Sequence, residues 1–197
     1  PVLCEELVRH APTQVHLHPV DGIFSVLGNH DYADYVKTAT AEQKRSMERM
    51  TRSFEASLNW DLLLNERRIL RRGADSIVIA GTENDGRPPF PCKADYRKAL
   101  HGISPESFVI MMQHDPSAWR RHILPQCTAQ LTLSGHTHGG QFSLFGWRPT
   151  SLVNSEDAGL YSEGKRFLFV STGVGGFLPF RFHMKPEIVE ITLKVKR

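Results

Sequence analysis

The chain has 197 residues with 40% hydrophobic and 23% charged side chains, the composition of an ordinary globular protein long enough for one hydrophobic core. A net charge of +3 gives no footprint for specific nucleic-acid binding, and the densest basic cluster, Arg67, Arg68, Arg71 and Arg72, reads as a solvated surface. Cys4, Cys92 and Cys127 lack both C-x-x-C pairing and an even count, which argues against a thiolate zinc site and a disulfide framework and leans towards a reducing compartment. No stretch reaches the roughly 18 apolar residues of a membrane span, and no signal peptide is recognisable. The chain opens at Pro1 in what reads as mid-element, so location stays open.

In chain order, Glu5 to Ala11 reads as a helix end stopped by Pro12, and Gly22 to Gly28 as a short buried strand. Ala41 to Leu58 carries Met47, Met50, Phe54 and Leu58 at spacings of three and four, one apolar face of a helix. Trp60 to Leu70 and Asp75 to Gly81 read as strands joined at Arg72-Gly73. Thr82 to Pro91 is a loop on its Gly and Pro content, and Lys93 to Ile103 a short helix. Ser107 to His114 is a buried strand, Ser117 to Leu124 a helix started by Pro116, and Ala129 to Gly135 another strand. Arg166 to Gly173 and the alternating Pro186 to Val195 close the chain as strands. Helices and strands interleave, so the fold class is α/β and layered.

Three of these strands run into the same kind of residue. Gly22 to Gly28 leads into Asn29-His30-Asp31, Ser107 to Gln113 into His114-Asp115, and Ala129 to Gly135 into His136-Thr137-His138. Sites in open α/β sheets form beyond the carboxyl ends of strands. Neutral imidazole suits zinc, manganese or iron, and amide oxygen serves harder ions. A turn loosened by Gly139 and Gly140 would aim His136 and His138 at two neighbouring positions. The remaining histidines, His10, His16, His18, His101, His122 and His183, read as surface or structural.

With these motifs quoted, the chain resembles the calcineurin-like metallophosphoesterases: GNHD at Gly28 to Asp31, a lone His114 after an apolar strand, and GHTH at Gly135 to His138, in that order. VLGNHDYADY, GADSIVIAGTEN, LTLSGHTHGGQF and PFRFHMKPEIVEITL are similar to one bacterial branch. That branch holds membrane-associated phosphodiesterases and enzymes that cleave a nucleotide-linked diacylglucosamine. The resemblance implies a layered sandwich of mixed β-sheets flanked by helices. It implies two divalent ions, manganese, zinc or iron, roughly 3.5–4 Å apart around a water-derived nucleophile. Asn29, His114 and His136 would hold one ion and His138 the other. His30 would contact the phosphate and protonate the leaving oxygen, with Asp31 orienting its ring. The substrate would be a phosphoester, nucleotide- or lipid-linked, and the location cytoplasmic or membrane-associated.

The family's Asp-x-His and Gly-Asp-x-x-Asp motifs, which precede GNHD, are absent from this sequence. The expectation is one domain over residues 1–197 that is the C-terminal portion of the catalytic domain, lacking its first strands. Such a chain would bind one tight metal rather than two. Its open strand edges favour a homo-oligomer or a separate N-terminal piece. Two other readings stand beside this one: an inactive module that keeps a metal for binding or structure, and a mononuclear zinc hydrolase using His114, His136 and His138. Asn29-His30-Asp31 would be unexplained in the last. The loops Thr82 to Pro91 and Phe142 to Gly159 would set specificity, with no readable code. LFGWRP and GVGGFLPF fit a lipid-linked substrate or the packing of a long loop equally well.

Overall fold

The structure is a computed structural model that describes residues 19–33 and 36–194. The helix end at Glu5–Ala11, Cys4, His10, His16 and His18 lie outside the described residues.

The first strand is short. β1 (Phe24–Ser25) pairs in parallel with β2 (Asp61–Leu62) as a two-stranded ribbon. Between them runs α1 (Ala41–Ser57), started by a capping box in which Gln43 N–H donates to Thr40 Oγ1 and Thr40 N–H to Gln43 Oε1. The apolar stripe of α1 is only partly covered: Met47, Phe54 and Leu58 are half-buried, Met50 is exposed, and Thr51 is buried in its place. The stretch read as one strand from Trp60 to Leu70 is broken. Asn65 takes φ +60°, a left-handed conformation that asparagine tolerates. Its buried side chain accepts from Glu83 and Asp95 N–H, and donates to Glu83 Oε2. The chain therefore leaves β2 and restarts as β3 (Glu66–Arg72) in a different sheet.

That second sheet has six strands in the order β3-β4-β5-β6-β8-β7, with β4 (Asp75–Gly81), β5 (Phe108–Met112), β6 (Leu131–Ser134), β7 (Gly159–Glu163) and β8 (Arg166–Val170). The four inner strands are parallel and the two edge strands antiparallel, so the sheet is mixed and the fold is α/β as the sequence implies. The β7–β8 hairpin was not foreseen, because Leu160 to Glu163 carries little strand patterning. The helices are shorter than the sequence suggests. α2 (Tyr96–Ala99) is a single turn capped by Asp95, and a π-helical turn at Trp119–Ile123 runs into α3 (Leu124–Gln126).

Strand alternation divides the core. Val78, Ala80, Val109, Met111, Leu168 and Val170 face Tyr96, Trp119 and Ile123. Ile79, Ile110 and Leu131 point the other way, against Leu63, Phe24 and Val26 of the ribbon. Burial on both faces explains the continuous apolar runs. Leu160 and Phe167 at the far end of the second face stay exposed.

One expected element is missing. Among the described residues 186–194 there is no strand, and Ile188, Ile191 and Leu193 are exposed. Alternation states which side of a strand would be buried, but a strand forms only where an edge accepts its hydrogen bonds, and no described edge does so. The segment is tied down instead by Glu187, whose N–H donates to Gly173 O and whose Oε1 accepts from Thr172 N–H. Cys92 and Cys127 are both free thiols.

A buried carboxylate binds the helical side to the loops. Asp85 is 1% exposed and accepts from the Tyr96 hydroxyl (2.7 Å), the His122 Nδ1 (2.5 Å) and the Arg121 guanidinium (3.3 Å). Burial opposes its charge, but His122, Tyr96 and Arg121 outweigh burial and hold the carboxyl below its usual range. A depressed carboxyl contributes stability in full above its unfolded value, and loses it as pH falls through the folded value. Asp85→Asn is therefore expected to lower stability by about 3 kcal/mol at neutral pH. It should also flatten the stability-versus-pH curve below about pH 4, the ordinary carboxyl range. Urea melts of both proteins between pH 3 and 7 check this; parallel curves would show that Asp85 is not the titrating anchor.

Candidate metal and phosphoester site

Because β4, β5, β6 and β8 are parallel, their carboxyl ends lie on one edge. Two of the three candidate loops leave from it, His114 beyond β5 and His136 beyond β6, zipped by Gly135 N–H to His114 O. The third comes from the ribbon. Beyond β1 and Val26-Leu27-Gly28, Asn29–Tyr32 forms a 3-10 turn, closed by Asp31 Oδ2 accepting from Gly28 N–H at 2.7 Å.

The three loops meet at one point. Asn29 Oδ1 lies 2.8 Å from His114 Nε2 and 2.9 Å from His136 Nδ1, and the two ring nitrogens are 3.2 Å apart. Asn29 Oδ1 can accept from both ring nitrogens, and edges of about 3 Å are also those between neighbouring ligands of one six-coordinate divalent ion with metal–donor distances near 2.1 Å. Two imidazoles and an amide oxygen thus fit a divalent ion chemically and geometrically. Among the described residues, no three His, Cys, Asp or Glu side chains form such a group, so His138 does not join the trio.

The electrostatics favour neutral rings, the ligand form. Burial pushes His114 down to about 3, helped by His136, His138 and His30. His136 is lowered chiefly by burial, against the pull of Asp115, whose Oδ2 stands 3.9 Å from His136 Nε2. At that distance the carboxylate acts on the ring through its charge rather than through a hydrogen bond. His138 is lowered by burial and then by the Arg181 charge. His30 is exposed at the rim. Asp31 is raised by burial, opposed by the Gly28 N–H and by His30.

Backbone constraint aims these groups. His136 (φ +71°), His138 (+51°) and Gln141 (+54°) all sit in the left-handed region, with Gly139 and Gly140 between them. Non-glycine residues accept such strain where surrounding bonds hold them. Here Thr137 Oγ1 donates to Asp157 O, and Gly140 N–H to Thr137 O. Gly28 is needed for another reason: a Cβ there would stand 2.7–2.9 Å from the His114 ring.

Several supporting residues escaped the sequence reading. Gln113, fully buried, donates to Thr82 Oγ1 and Glu83 O and accepts from Asp85 and Asp115 N–H, so it locks the loop that carries His114. Its signal was available, since it occupies the next inward position after Val109 and Met111. Gln141 holds Phe177, Leu178 and Phe180 through their backbone. Phe90 sets its ring edge-on to His136 at 5.4 Å.

Gly28→Ala is expected to displace the His114 ring, costing about 1–3 kcal/mol of stability. Loss of bound divalent metal should accompany it. Thermal melts, the His114 ring signals in NMR spectra and elemental analysis after dialysis test this. Wild-type chain should retain one metal per chain; two tightly held ions would show that further ligands come from elsewhere.

No family model and no solved structure matches the chain. Curated relatives do. An uncharacterized metallophosphoesterase of Aquifex aeolicus is 30% identical over 185 residues, covering 91% of this chain and 64% of the relative. The uncharacterized metallophosphoesterase YkuE of Bacillus subtilis is 38% identical over 106 residues, 51% of this chain and 36% of the relative. The UDP-2,3-diacylglucosamine pyrophosphatase LpxG of Chlamydia trachomatis is 30% identical over 220 residues, 87% and 64% of the two chains. This chain thus spans less than two thirds of the length of these relatives. Further relatives come from animals, so the likeness is not confined to the bacterial branch.

Proposed function

We propose that this chain, which belongs to the calcineurin-like metallophosphoesterase family, is a metal-dependent phosphoester hydrolase with Asn29, His114 and His136 as metal ligands. The relatives support a phosphoesterase-type function at modest identity. The observation that carries the finer reading is the convergence of Asn29 Oδ1, His114 Nε2 and His136 Nδ1 within 3.2 Å of one another. An amide completes this trio where a three-histidine zinc hydrolase would need His138, which favours the phosphoesterase reading over that alternative. His138 is assigned to a second ion, manganese, zinc or iron like the first.

The bound ions would supply a Lewis acid for the phosphoryl oxygens and a water made nucleophilic at neutral pH. The chain's own residues do the rest. The neutral, buried rings of His114 and His136 present lone pairs rather than competing charge. His30, exposed at the rim, gives its proton to the departing oxygen as the phosphorus–oxygen bond breaks, so that no free alkoxide is released. Asp31 fastens the turn through Gly28 N–H and is assigned to orient the His30 ring. The name of the chlamydial relative makes a nucleotide- and lipid-linked ester the substrate class to try after aryl diesters.

Joined to a segment that supplies the absent Asp-x-His and Gly-Asp-x-x-Asp motifs and given manganese, the chain is expected to hydrolyse a bis-aryl phosphodiester. His30→Ala should lower turnover about 10²–10⁴-fold, the range for a lost general acid. The defect should be small on a nitrophenyl ester and large on an alkyl ester, with metal content unchanged. His136→Ala should lose metal and activity together. Bound metal without turnover of any ester would instead identify an inactive binding module.

A further inference from the structure

The loop from Thr82 to Pro91 is built as a rigid hairpin, not as slack. Its base is the antiparallel bridge between Asp85 and Cys92, and Gly86 N–H donates to Pro91 O at 2.9 Å. The buried Asn84 side chain donates to the same carbonyl at 2.8 Å. At the tip, Phe90 N–H donates to Arg87 O at 2.8 Å, closing a turn over two prolines. Phe90 packs down on Gly86, where a Cβ would come within 2.4 Å of Phe90 Cβ. The base is also gripped from below, by Arg121 and His122 on Asp85 and by Gln113 on the Asp85 N–H.

This hairpin leans on the site. Phe90 meets the His136 ring edge-on at 5.4 Å, and the ends of such a turn lie within about 7 Å of each other. Arg87 opens the turn that ends at Phe90, whose ring touches His136. It is exposed and, among the described residues, makes no ion pair, unlike Arg68, Arg72, Arg120, Arg121 and Arg148. A guanidinium is a planar fork matched to phosphate oxygens, and a rigid mount reduces the entropy lost on binding.

We propose that the Asp85–Cys92 hairpin forms a substrate subsite in which Arg87 holds a second phosphoryl group next to the scissile one, with Phe90 as its apolar floor. The preferred substrates are then pyrophosphate-linked rather than simple diesters. This rests on the phosphoesterase reading for its catalytic meaning, but the subsite is a binding property that can be measured alone.

The test has two arms. In the first, the full chain is stripped of metal, so that chelation cannot interfere, and titrated with inorganic pyrophosphate and with inorganic phosphate by phosphorus NMR. Pyrophosphate should bind about tenfold more tightly than phosphate, as one charge-assisted fork allows. Arg87→Ala should abolish the difference, Arg87→Lys should keep part of it, and Arg120→Ala should leave it intact. In the second arm, on manganese-loaded chain joined to the segment that supplies the absent motifs, Arg87→Ala should raise KM about tenfold for a nucleotide-sugar pyrophosphate, with little change for a bis-aryl diester. Equal binding of the two anions by wild type, or an Arg87→Ala variant indistinguishable from it, overturns the subsite. If neither ester is turned over while the pyrophosphate preference still depends on Arg87, the subsite stands and the catalytic reading fails.

Discussion

Everything at this site depends on one contact, the Asn29 amide oxygen set between two imidazole nitrogens. The amide and the imidazoles arrive from different sheets. His114 and His136 belong to neighbouring parallel strands and would lie close in any sheet of this order. Asn29 arrives on the two-stranded ribbon, so its position depends on how the ribbon docks. Gly81, the last residue of β4, is where the docking is closest: a Cβ there would lie 2.5 Å from Leu63 Cβ and 2.7 Å from Val26 Cγ1. A larger residue would lift the ribbon, and the Asn29 turn with it, off the histidines. The apolar core and the polar site are therefore one mechanical problem.

The support beneath the histidines is polar and buried; Gln113 and Asp85 are saturated, whereas Asn84 Oδ1, Thr132 Oγ1 and Ser134 Oγ have no hydrogen-bond partner among the described residues. Gln113 has partners for both its oxygen and its nitrogen, and Asp85 is surrounded by donors. Buried polar groups in this state rigidify, whereas a half-paired network would loosen the loops they join. The same hub that grips the helical turn at Trp119–Ile123 also holds the base of the Arg87 hairpin. Core packing on one face of the sheet is thereby connected to the geometry at its carboxyl edge.

Much of this was legible in the sequence. Five of the strand readings and the long helix fall where the structure has them, because apolar runs ending in Gly and capping residues such as Thr40 act locally. Strand ends alone point to a common edge for Asn29, His114 and His136, and the grouping of these three is what the family resemblance implies. Three things were not legible. The break at Asn65 is set by tertiary partners on Glu83 and Asp95, remote in the chain. The C-terminal alternation from Pro186 signals an amphipathic strand yet says nothing of a receiving edge. The reach of Phe90 to His136 comes from a hairpin whose rigidity depends on Gly86, Asn84 and Asp85 together.

The left-handed Gln141 has an effect beyond its own turn. Its side chain accepts from the Phe177 and Leu178 amides and donates to the Leu178 and Phe180 carbonyls, while Gly176 lies against it too closely for any Cβ. The segment from Gly175 to Phe180 thus carries exposed aromatic side chains on a latched backbone. Its amides should exchange with solvent more slowly than their surface position suggests. A protease attracted by Phe177 would find no extended strand to grip until Gln141 let go, and that release would unsettle the turn bearing His138 in the same event.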